Sequence, residues 1–220
     1  MFTNVNGVTL FYEKLGNGHP LIMLHGNGEN HNMFFETAKL LAKDFSVYCI
    51  DSRGHGQSQP VDEINYYDMC EDIAGFIKKK HLEKPILYGF SDGGIIGLLL
   101  ASKYPEMLSK LAVSGANCKP SGLQDKFIAD ITAEYEVTHS PLLFMMMTQP
   151  DITPSMLHRI KIPVLMTAGE FDLVKETHTY AIAKQLVNSQ VIILKGESHD
   201  SYTLNTTKLY DVISPFIYNN

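Results

Sequence analysis

The sequence predicts an α/β fold in which a mostly parallel central sheet carries helices on both of its faces. Short apolar runs such as "PLIML" and "PILYGF" alternate along the chain with longer segments of helical spacing. Runs that are apolar on both faces suit strands that are covered from both sides. Regular alternation of such strands with helices is typical of a parallel sheet wound with helices. The length of 220 residues, 45% of them hydrophobic, suits one domain with a sizeable core.

The predicted elements begin with a hairpin whose turn is Asn6-Gly7, because both turn positions need a positive φ. Strand and helix then alternate in the pairs "PLIML" and "MFFETAKLLAKD", "FSVYCI" and "NYYDMCEDIAGFIKKKH", and "PILYGFS" and "GGIIGLLLASKYP". A further strand, "LSKLAVSGAN", follows them. Near the end, "PVLMTAGEFD", "THTYAIAKQLVN", "VIILKGESHD" and "TLNTTKLYDVISPFIYNN" continue as strand, helix, strand and helix.

One segment, from about 119 to 159, departs from this alternation because it favours helix and contains no strand pattern. We expect a short helical insertion between two strands of a core formed by 1–118 and 160–220. Its Phe144, Met145 and Met146 form an apolar surface. These side chains either pack the insertion onto the core or line an apolar substrate pocket, and both roles are compatible.

The composition argues against several partners and locations. The net charge is −6, from 24 acidic and 18 basic residues, without a basic patch, so nucleic-acid binding is not expected. The first residues contain no cationic segment followed by an apolar core, so they do not resemble a secretory signal. The most apolar stretch, 95–101, is shorter than the roughly 20 residues that cross a bilayer. We expect a soluble, cytoplasmic protein without a membrane partner.

Cofactor chemistry is not indicated by the sequence. Cys49, Cys70 and Cys118 have no metal or redox spacing and are expected to be buried or half-buried free thiols. No His, Cys or Asp cluster has the spacing of metal ligands. The sequence therefore predicts no metal and no organic cofactor, and it leaves the oligomeric state open.

Three residues with catalytic chemistry follow three different predicted strands, namely Ser91, Asp172 and His199. Ligands of parallel sheets bind beyond the carboxyl ends of the strands, so these side chains are expected to meet at one edge. In "GFSDGG" the strand turns directly into a helix at Ser91, which requires strained backbone. Glycines at 89 and 93 relieve the crowding at this turn, so we expect the hydroxyl to project above the sheet.

The three side chains predict nucleophilic catalysis. A serine hydroxyl is a weak nucleophile, so His199 would take its proton while Asp172 fixes the tautomer of the imidazole. The backbone N–H of Asp92 lies at the amino end of the following helix, which suits a developing oxyanion. The backbone N–H of Asn27, between glycines in "HGNG", is the candidate for the second oxyanion donor.

The whole chain resembles the α/β-hydrolase superfamily. Its nucleophile elbow G-x-S-x-G matches 89–93, and the triad order serine, aspartate, histidine matches this sequence. "LHGNG" is similar to the oxyanion loop of the family and "DSRGHGQS" to its D-x-R-G-x-G-x-S segment. The resemblance implies the α/β-hydrolase fold, with 119–159 as a short cap. "GFSDGG" resembles the biphenyl-hydrolase-like and valacyclovir-hydrolase-like members, and serine at the elbow argues against dehalogenases and epoxide hydrolases.

The resemblance also ranks the acids near the histidine. It favours Asp172 over Glu170 and Asp200, because the acid of the family lies a little beyond the end of its strand. Asp92 has two open roles for its side chain: capping the following helix, which we favour, or pairing with a cationic substrate amine.

The family loops imply roles for further residues. Asp51, Arg53 and His55 would brace the turns, and His25 would orient the oxyanion loop. Candidate substrate contacts are His25, Phe90, Phe144, Met145 and Met146. The histidines without a motif are expected at the surface: His31, His139, His158 and His178.

The sequence thus predicts a serine hydrolase that acts on a small ester through an acyl-enzyme. Hydrolysis of amino-acid esters or small peptides, and hydrolysis of C–C bonds, are alternatives that use the same triad. A ligand-binding protein of the same fold with little turnover is the alternative outside enzymes.

Overall fold

A computed structural model describes residues 1–219, and its centre is one eight-stranded sheet. The strand order is β1-β2-β4-β3-β5-β6-β7-β8. The strands are β1 (Phe2–Val5), β2 (Val8–Leu15), β3 (His19–Leu24), β4 (Phe45–Ile50), β5 (Ile86–Phe90), β6 (Lys110–Ser114), β7 (Val164–Phe171) and β8 (Ser189–Ser198). The helices are α1 (Phe35–Leu41), α2 (Tyr66–Lys79), α3 (Asp92–Lys103), α4 (Asp125–Thr138), α5 (Pro141–Thr148), α6 (Pro154–Leu157), α7 (Glu176–Ala183) and α8 (Lys208–Tyr218).

The sheet is antiparallel only at its amino-terminal edge. β1 pairs with β2 and β2 with β4 in antiparallel register, whereas all pairs from β4 to β8 are parallel. The turn between β1 and β2 has φ of 47° at Asn6 and 80° at Gly7, which confirms the predicted hairpin. The parallel strands bring the carboxyl ends of β3, β5, β7 and β8 to one edge, where the candidate side chains follow.

The core lies on both faces of the sheet. One apolar cluster joins it to α2, α3 and α7 through residues such as Ile73, Leu98 and Ile182. The other joins it to α1 and α8 through residues such as Leu41 and Ile213. Both clusters contain fully buried strand residues, which confirms the prediction of strands that are covered on both faces.

The segment 119–159 forms α4, α5 and α6 between β6 and β7. α4 contacts α5. That residues 119–159 form a cap distinct from the core stays a prediction. The three cysteines are free and buried, as expected. Within residues 1–219, none of the helices has both the length and the apolar character that crossing a membrane requires.

Candidate active site

Ser91 occupies a strained turn between β5 and α3. Its φ is 50° and its ψ is −113°, a conformation that is costly for a residue with a side chain. The backbone N–H of Ser91 donates to the carbonyl of Ser114 at 2.8 Å, which anchors the turn to β6. A Cβ at Gly89 would collide with the backbone of Gly93, and a Cβ at Gly93 would collide with the backbone of Leu24. The predicted need for glycine at both positions is confirmed.

The structure brings Ser91, His199 and Asp172 together. Nε2 of His199 lies 3.1 Å from Oγ of Ser91, and Nδ1 lies 2.7 Å from Oδ1 of Asp172. The Asp172 carboxylate is held by the backbone N–H groups of Gly169, at 3.0 Å, and Val174, at 2.9 Å. With Nδ1–H donating to this fixed carboxylate, Nε2 is left to accept the hydroxyl proton.

The two rival acids have other partners. Glu170 is the penultimate residue of β7, and its Oε2 accepts from the N–H of Gly196 at 2.8 Å. Oδ1 of Asp200 accepts from the hydroxyl of Ser198 at 3.1 Å. Among the three carboxylates, the one hydrogen-bonded to the His199 imidazole is that of Asp172.

The His199 ring fits between a glycine and an aromatic ring. The ring centroid of Phe90 lies 4.8 Å from that of His199. On another side is Gly115, after β6, where an added Cβ would lie 2.6 Å from Cε1 and 2.7 Å from Nδ1 of the imidazole. Gly115 also has a φ of 59°. Sequence reasoning missed it, because "SGAN" does not reveal which loop packs on the histidine.

The two candidate oxyanion donors lie on a loop and a helix. Asn27 follows β3, and Asp92 is the first residue of α3. Among residues 1–219, neither backbone N–H donates a hydrogen bond to another protein atom. Free N–H groups at a helix amino end stabilise negative charge. Glu29 shapes the loop by accepting from the N–H of Gly26 at 3.0 Å, and burial raises the pKa of this carboxyl.

His25 links the loop after β3 to the loop after β4. Its Nδ1 lies 2.7 Å from the carbonyl of Gly26, and its Nε2 accepts from the N–H of Ser52 at 3.0 Å. Burial lowers the pKa of His25 to about 4, so the ring is neutral at pH 7. The side chain is 1% exposed and does not line the cavities beside Ser91, so the predicted substrate contact is wrong.

Asp51 and Arg53 make buried contacts that brace the loop after β4. Oδ1 of Asp51 accepts from the backbone N–H of His31 at 2.7 Å and lies 2.8 Å from its Nδ1. Arg53 donates to both carboxylate oxygens of Asp72, at 2.6 and 2.7 Å. His55 is buried, with Nδ1 at 3.0 Å from the carbonyl of Arg53.

Two of the histidines that were expected at the surface lie elsewhere. His31 is buried against Asp51, and His178 is half-buried with Nε2 accepting from the N–H of Cys118 at 3.0 Å. His139 and His158 are exposed as expected. The Asp51 carboxylate holds His31 in the interior, and the backbone N–H of Cys118 binds His178. No pattern in the sequence indicates either contact.

The Asp92 side chain does not cap α3, so the favoured prediction is wrong. Its Oδ1 accepts from the hydroxyl of Tyr66 at 2.7 Å, and its Oδ2 accepts from Nδ2 of Asn27 at 3.0 Å. The residue is 4% exposed, and burial raises the pKa of its carboxyl while both hydrogen bonds oppose the shift. Sequence reasoning missed Tyr66, because only the packing of α2 on α3 brings it to this site.

Two cavities adjoin Ser91 and His199. A small chamber of about 20 Å³ has polar walls and an apolar side. Its polar lining is Tyr66, Asp92, Asn117 and Gln149. A groove of about 280 Å³ extends along the insertion. Its apolar lining is Phe90, Phe127, Ile131, Leu143, Met146 and Leu173.

Only some of the candidate pocket residues line a cavity beside Ser91. Phe90 and Met146 line the groove. Phe144 and Met145 line neither cavity, because Phe144 is 49% exposed and Met145 is 0% exposed within the core. Met145 packs the insertion onto the sheet domain, so the predicted substrate contact there is wrong, whereas the predicted contact at Phe144 stays a prediction.

A family model described as the alpha/beta hydrolase fold matches residues 19–135, just over half of the chain. The chain belongs to the α/β-hydrolase family. This α/β-hydrolase is 30% identical to the human serine hydrolase BPHL over 228 aligned positions, which cover 89% of this chain and 78% of the relative. Its relatives are hydrolases, as their names state.

Solved structures share the fold of this α/β-hydrolase. A carboxylesterase structure from Nitrososphaera gargenis superposes with a TM-score of 0.86 at 18% identity, covering 99% of this chain and 97% of the other. The enol-lactonase of Burkholderia xenovorans LB400 superposes with a TM-score of 0.82 at 17% identity and covers 100% of both chains. At such identity the likeness concerns the fold.

Proposed function

We propose that this α/β-hydrolase is a serine hydrolase that cleaves small carboxylic esters through an acyl-enzyme on Ser91. The observation that carries the proposal is the hydrogen-bonded chain from Ser91 through His199 to Asp172, with distances of 3.1 and 2.7 Å. It holds a nucleophile, a base and an orienting acid within bonding reach, as acyl transfer to serine requires.

In the acylation step, Oγ of Ser91 bonds to the ester carbonyl carbon while the hydroxyl proton moves to Nε2 of His199. Asp172 stabilises the imidazolium that forms. The negative charge on the carbonyl oxygen is stabilised by the backbone N–H groups of Asn27 and Asp92, which have no partner among residues 1–219. The intermediate then collapses, and the departing alcohol oxygen takes the proton from His199.

In the deacylation step, water attacks the acyl carbon and gives a proton to Nε2 of His199. The second tetrahedral intermediate expels Oγ of Ser91, which recovers that proton. The products are one carboxylic acid and one alcohol, and the enzyme returns to its initial protonation state.

The dimensions of the site favour compact substrates. The chamber of about 20 Å³ holds little more than one water-sized group, whereas the groove of about 280 Å³ offers apolar walls. We propose that 119–159 acts as a short cap that supplies most of these walls. One ester substituent is then small, and the other is larger and apolar.

The test is the rate of hydrolysis of p-nitrophenyl butyrate by the Ser91→Ala variant. We expect kcat to fall by about 10⁴-fold or more with an unchanged unfolding temperature, since the nucleophile is lost without disturbing the fold. Ser121→Ala, at an exposed serine in the insertion, is the matched control and should keep full activity. Retained turnover in Ser91→Ala would overturn the assignment of the nucleophile.

A fluorophosphonate probe separates the enzyme from a ligand-binding protein of the same fold. An activated serine reacts covalently with this probe, whereas an inert serine does not. We expect stoichiometric labelling of the wild-type chain, together with turnover of at least one ester in a panel that varies acyl length. Absence of both reactions would favour the binding protein.

A further inference from the structure

A chain of hydrogen-bonded polar side chains runs through the two candidate oxyanion donors, with Asp92 and Tyr66 buried and Asn27 half-buried. Nδ2 of Asn27 donates to Oδ2 of Asp92 at 3.0 Å, and the Tyr66 hydroxyl donates to Oδ1 at 2.7 Å. The same two residues, Asn27 and Asp92, supply the backbone N–H groups of the proposed oxyanion hole. The hydrogen bond between their side chains therefore couples the loop after β3 to the start of α3.

The two halves of the hole differ in rigidity. Asp92 begins α3, which is buried from Asp92 to Ser102, so its backbone is fixed by the core. Asn27 lies between Gly26 and Gly28 on a loop, and Gly28 has a φ of 70°. Glu29 and His25 hold Gly26 on one side of Asn27, whereas Gly28 on the other side is exposed and adds conformational freedom, so a further contact to Asn27 helps its amide to keep one orientation.

Tyr66 fixes the carboxylate from the other side. It is the first residue of α2, its side chain is buried, and its backbone N–H donates to Oε1 of Gln149 at 3.3 Å. The Asn65 side chain caps α2 by accepting from the N–H of Asp68. Tyr66 is thus held by both a capped helix and the segment that follows α5.

We infer that the Asp92 carboxylate is a positioning residue that holds the Asn27 amide in register with the Asp92 amide, and that the Tyr66 hydroxyl keeps this carboxylate in place. The inference rests on the proposed serine hydrolase function. It assigns a role to Asp92 that differs from both sequence expectations, the helix cap and the partner of a substrate amine. It also adds Tyr66, which has no motif.

The variants Asp92→Asn and Tyr66→Phe test the inference with little change of shape. A carboxylate accepts both hydrogen bonds, whereas Asn at 92 has one acceptor oxygen, so one of the two contacts must reverse its direction or be lost, and both lose the charge of the carboxylate. Tyr66→Phe removes only the hydroxyl. Removing an oxyanion donor costs about 10²- to 10³-fold in kcat, so loosening one should lower kcat by about 10- to 100-fold. KM should change by less than about 3-fold, because the contact acts in the transition state.

A double-mutant cycle separates positioning from general destabilisation. Asn27→Ala keeps the backbone N–H but removes the side-chain tie, so it should lower kcat as Asp92→Asn does. The double variant should lose little more kcat than either single variant, since both substitutions remove the same interaction.

A short alkyl trifluoromethyl ketone, whose adduct places an oxyanion in the hole, should bind to each variant more weakly in proportion to the loss of kcat. Tyr67→Phe, at the exposed neighbouring tyrosine, is the matched control and should behave as wild type.

Matched substrates separate this role from amine recognition. Benzyl propanoate and benzyl alaninate differ in one amino group. We expect Asp92→Asn and Tyr66→Phe to lower kcat equally for both esters. A loss confined to the alaninate ester would overturn the inference in favour of amine pairing, and strictly additive effects of Asn27→Ala and Asp92→Asn would overturn it as well.

The outcome is distinguishable from failure of the proposed function. If Ser91→Ala abolishes turnover while Asp92→Asn and Tyr66→Phe keep full kcat and full affinity for the trifluoromethyl ketone, only the positioning role is wrong. If Ser91→Ala itself keeps turnover, the serine hydrolase proposal fails and the positioning role fails with it. Should Asp92→Asn not fold, Tyr66→Phe and Asn27→Ala decide the question.

Discussion

Gly115 offers a sharp test of how closely the His199 imidazole is positioned. In a Gly115→Ala variant the new Cβ would lie 2.6 Å from Cε1 and 2.7 Å from Nδ1 of His199. Ordinary carbon contacts are about 3.5–4.0 Å, so the ring must retreat by roughly 1 Å. The hydrogen bonds of the ring to Ser91 and Asp172 measure 3.1 and 2.7 Å, so a movement of roughly 1 Å is large enough to lengthen or break them.

The expected loss of activity follows from this displacement. Misplacing a catalytic group by about 1 Å costs about 10²-fold in rate, equivalent to about 2.7 kcal/mol in the activation free energy. We therefore expect kcat of Gly115→Ala on p-nitrophenyl butyrate to fall by about 10²-fold. The positive φ of 59° also makes alanine unfavourable at Gly115, by about 1–2 kcal/mol of unfolding free energy.

A matched glycine separates the two effects. Gly7, in the hairpin turn, has a φ of 80°, but an added Cβ would meet no atom within 4 Å. Gly7→Ala should lose stability by about 1–2 kcal/mol and keep wild-type kcat. Initial rates and urea unfolding of both variants measure this contrast. A wild-type kcat in Gly115→Ala would refute the proposed packing of the imidazole.

Two further predictions concern pH and substrate charge. The folded-state pKa of His25 is lowered to about 4, so unfolding takes up a proton below about pH 6.5, and stability is lost as the pH falls between these values. The free energy of unfolding measured in urea should therefore be on the order of 2 kcal/mol lower at about pH 4.5 than at about pH 7 through this group, and a His25→Asn variant with the same loss would contradict the prediction. The groove carries three carboxylates, and its lining within residues 1–219 includes no Lys or Arg. These carboxylates are Glu29, Glu134 and Asp200. Anionic esters should therefore show a lower kcat/KM than matched neutral esters. Added salt screens the carboxylates, so the difference in kcat/KM between neutral and anionic esters should become smaller. A difference that does not depend on salt would argue against a role of these carboxylates.

The sheet and the elbow could be predicted because their signals are local. Apolar runs, glycine spacing and strained turns are properties of neighbouring residues, so Ser91 and its two glycines were recognisable from "GFSDGG". The meeting of Asp172 and His199 followed from the rule that ligand-binding residues follow the strands at one sheet edge.

The pocket lining could not be predicted because it depends on helix rotation. Successive residues of a helix differ by about 100° in direction. Phe144, Met145 and Met146 are consecutive in α5, yet they face solvent, the core and the groove respectively. Tyr66 and Gly115 were missed for a related reason. Their partners, Asp92 and His199, are distant in sequence, and only tertiary packing brings each pair together.

The most direct test of the central claim is to identify the residue that carries the acyl group. Wild-type protein mixed with p-nitrophenyl acetate and quenched in acid should contain an acetyl group on the peptide that includes Ser91, detected by mass spectrometry. The adduct should be absent from Ser91→Ala and should form much more slowly in His199→Ala. An acetyl group on another residue that supports turnover, or an adduct unaffected by Ser91→Ala, would contradict the account.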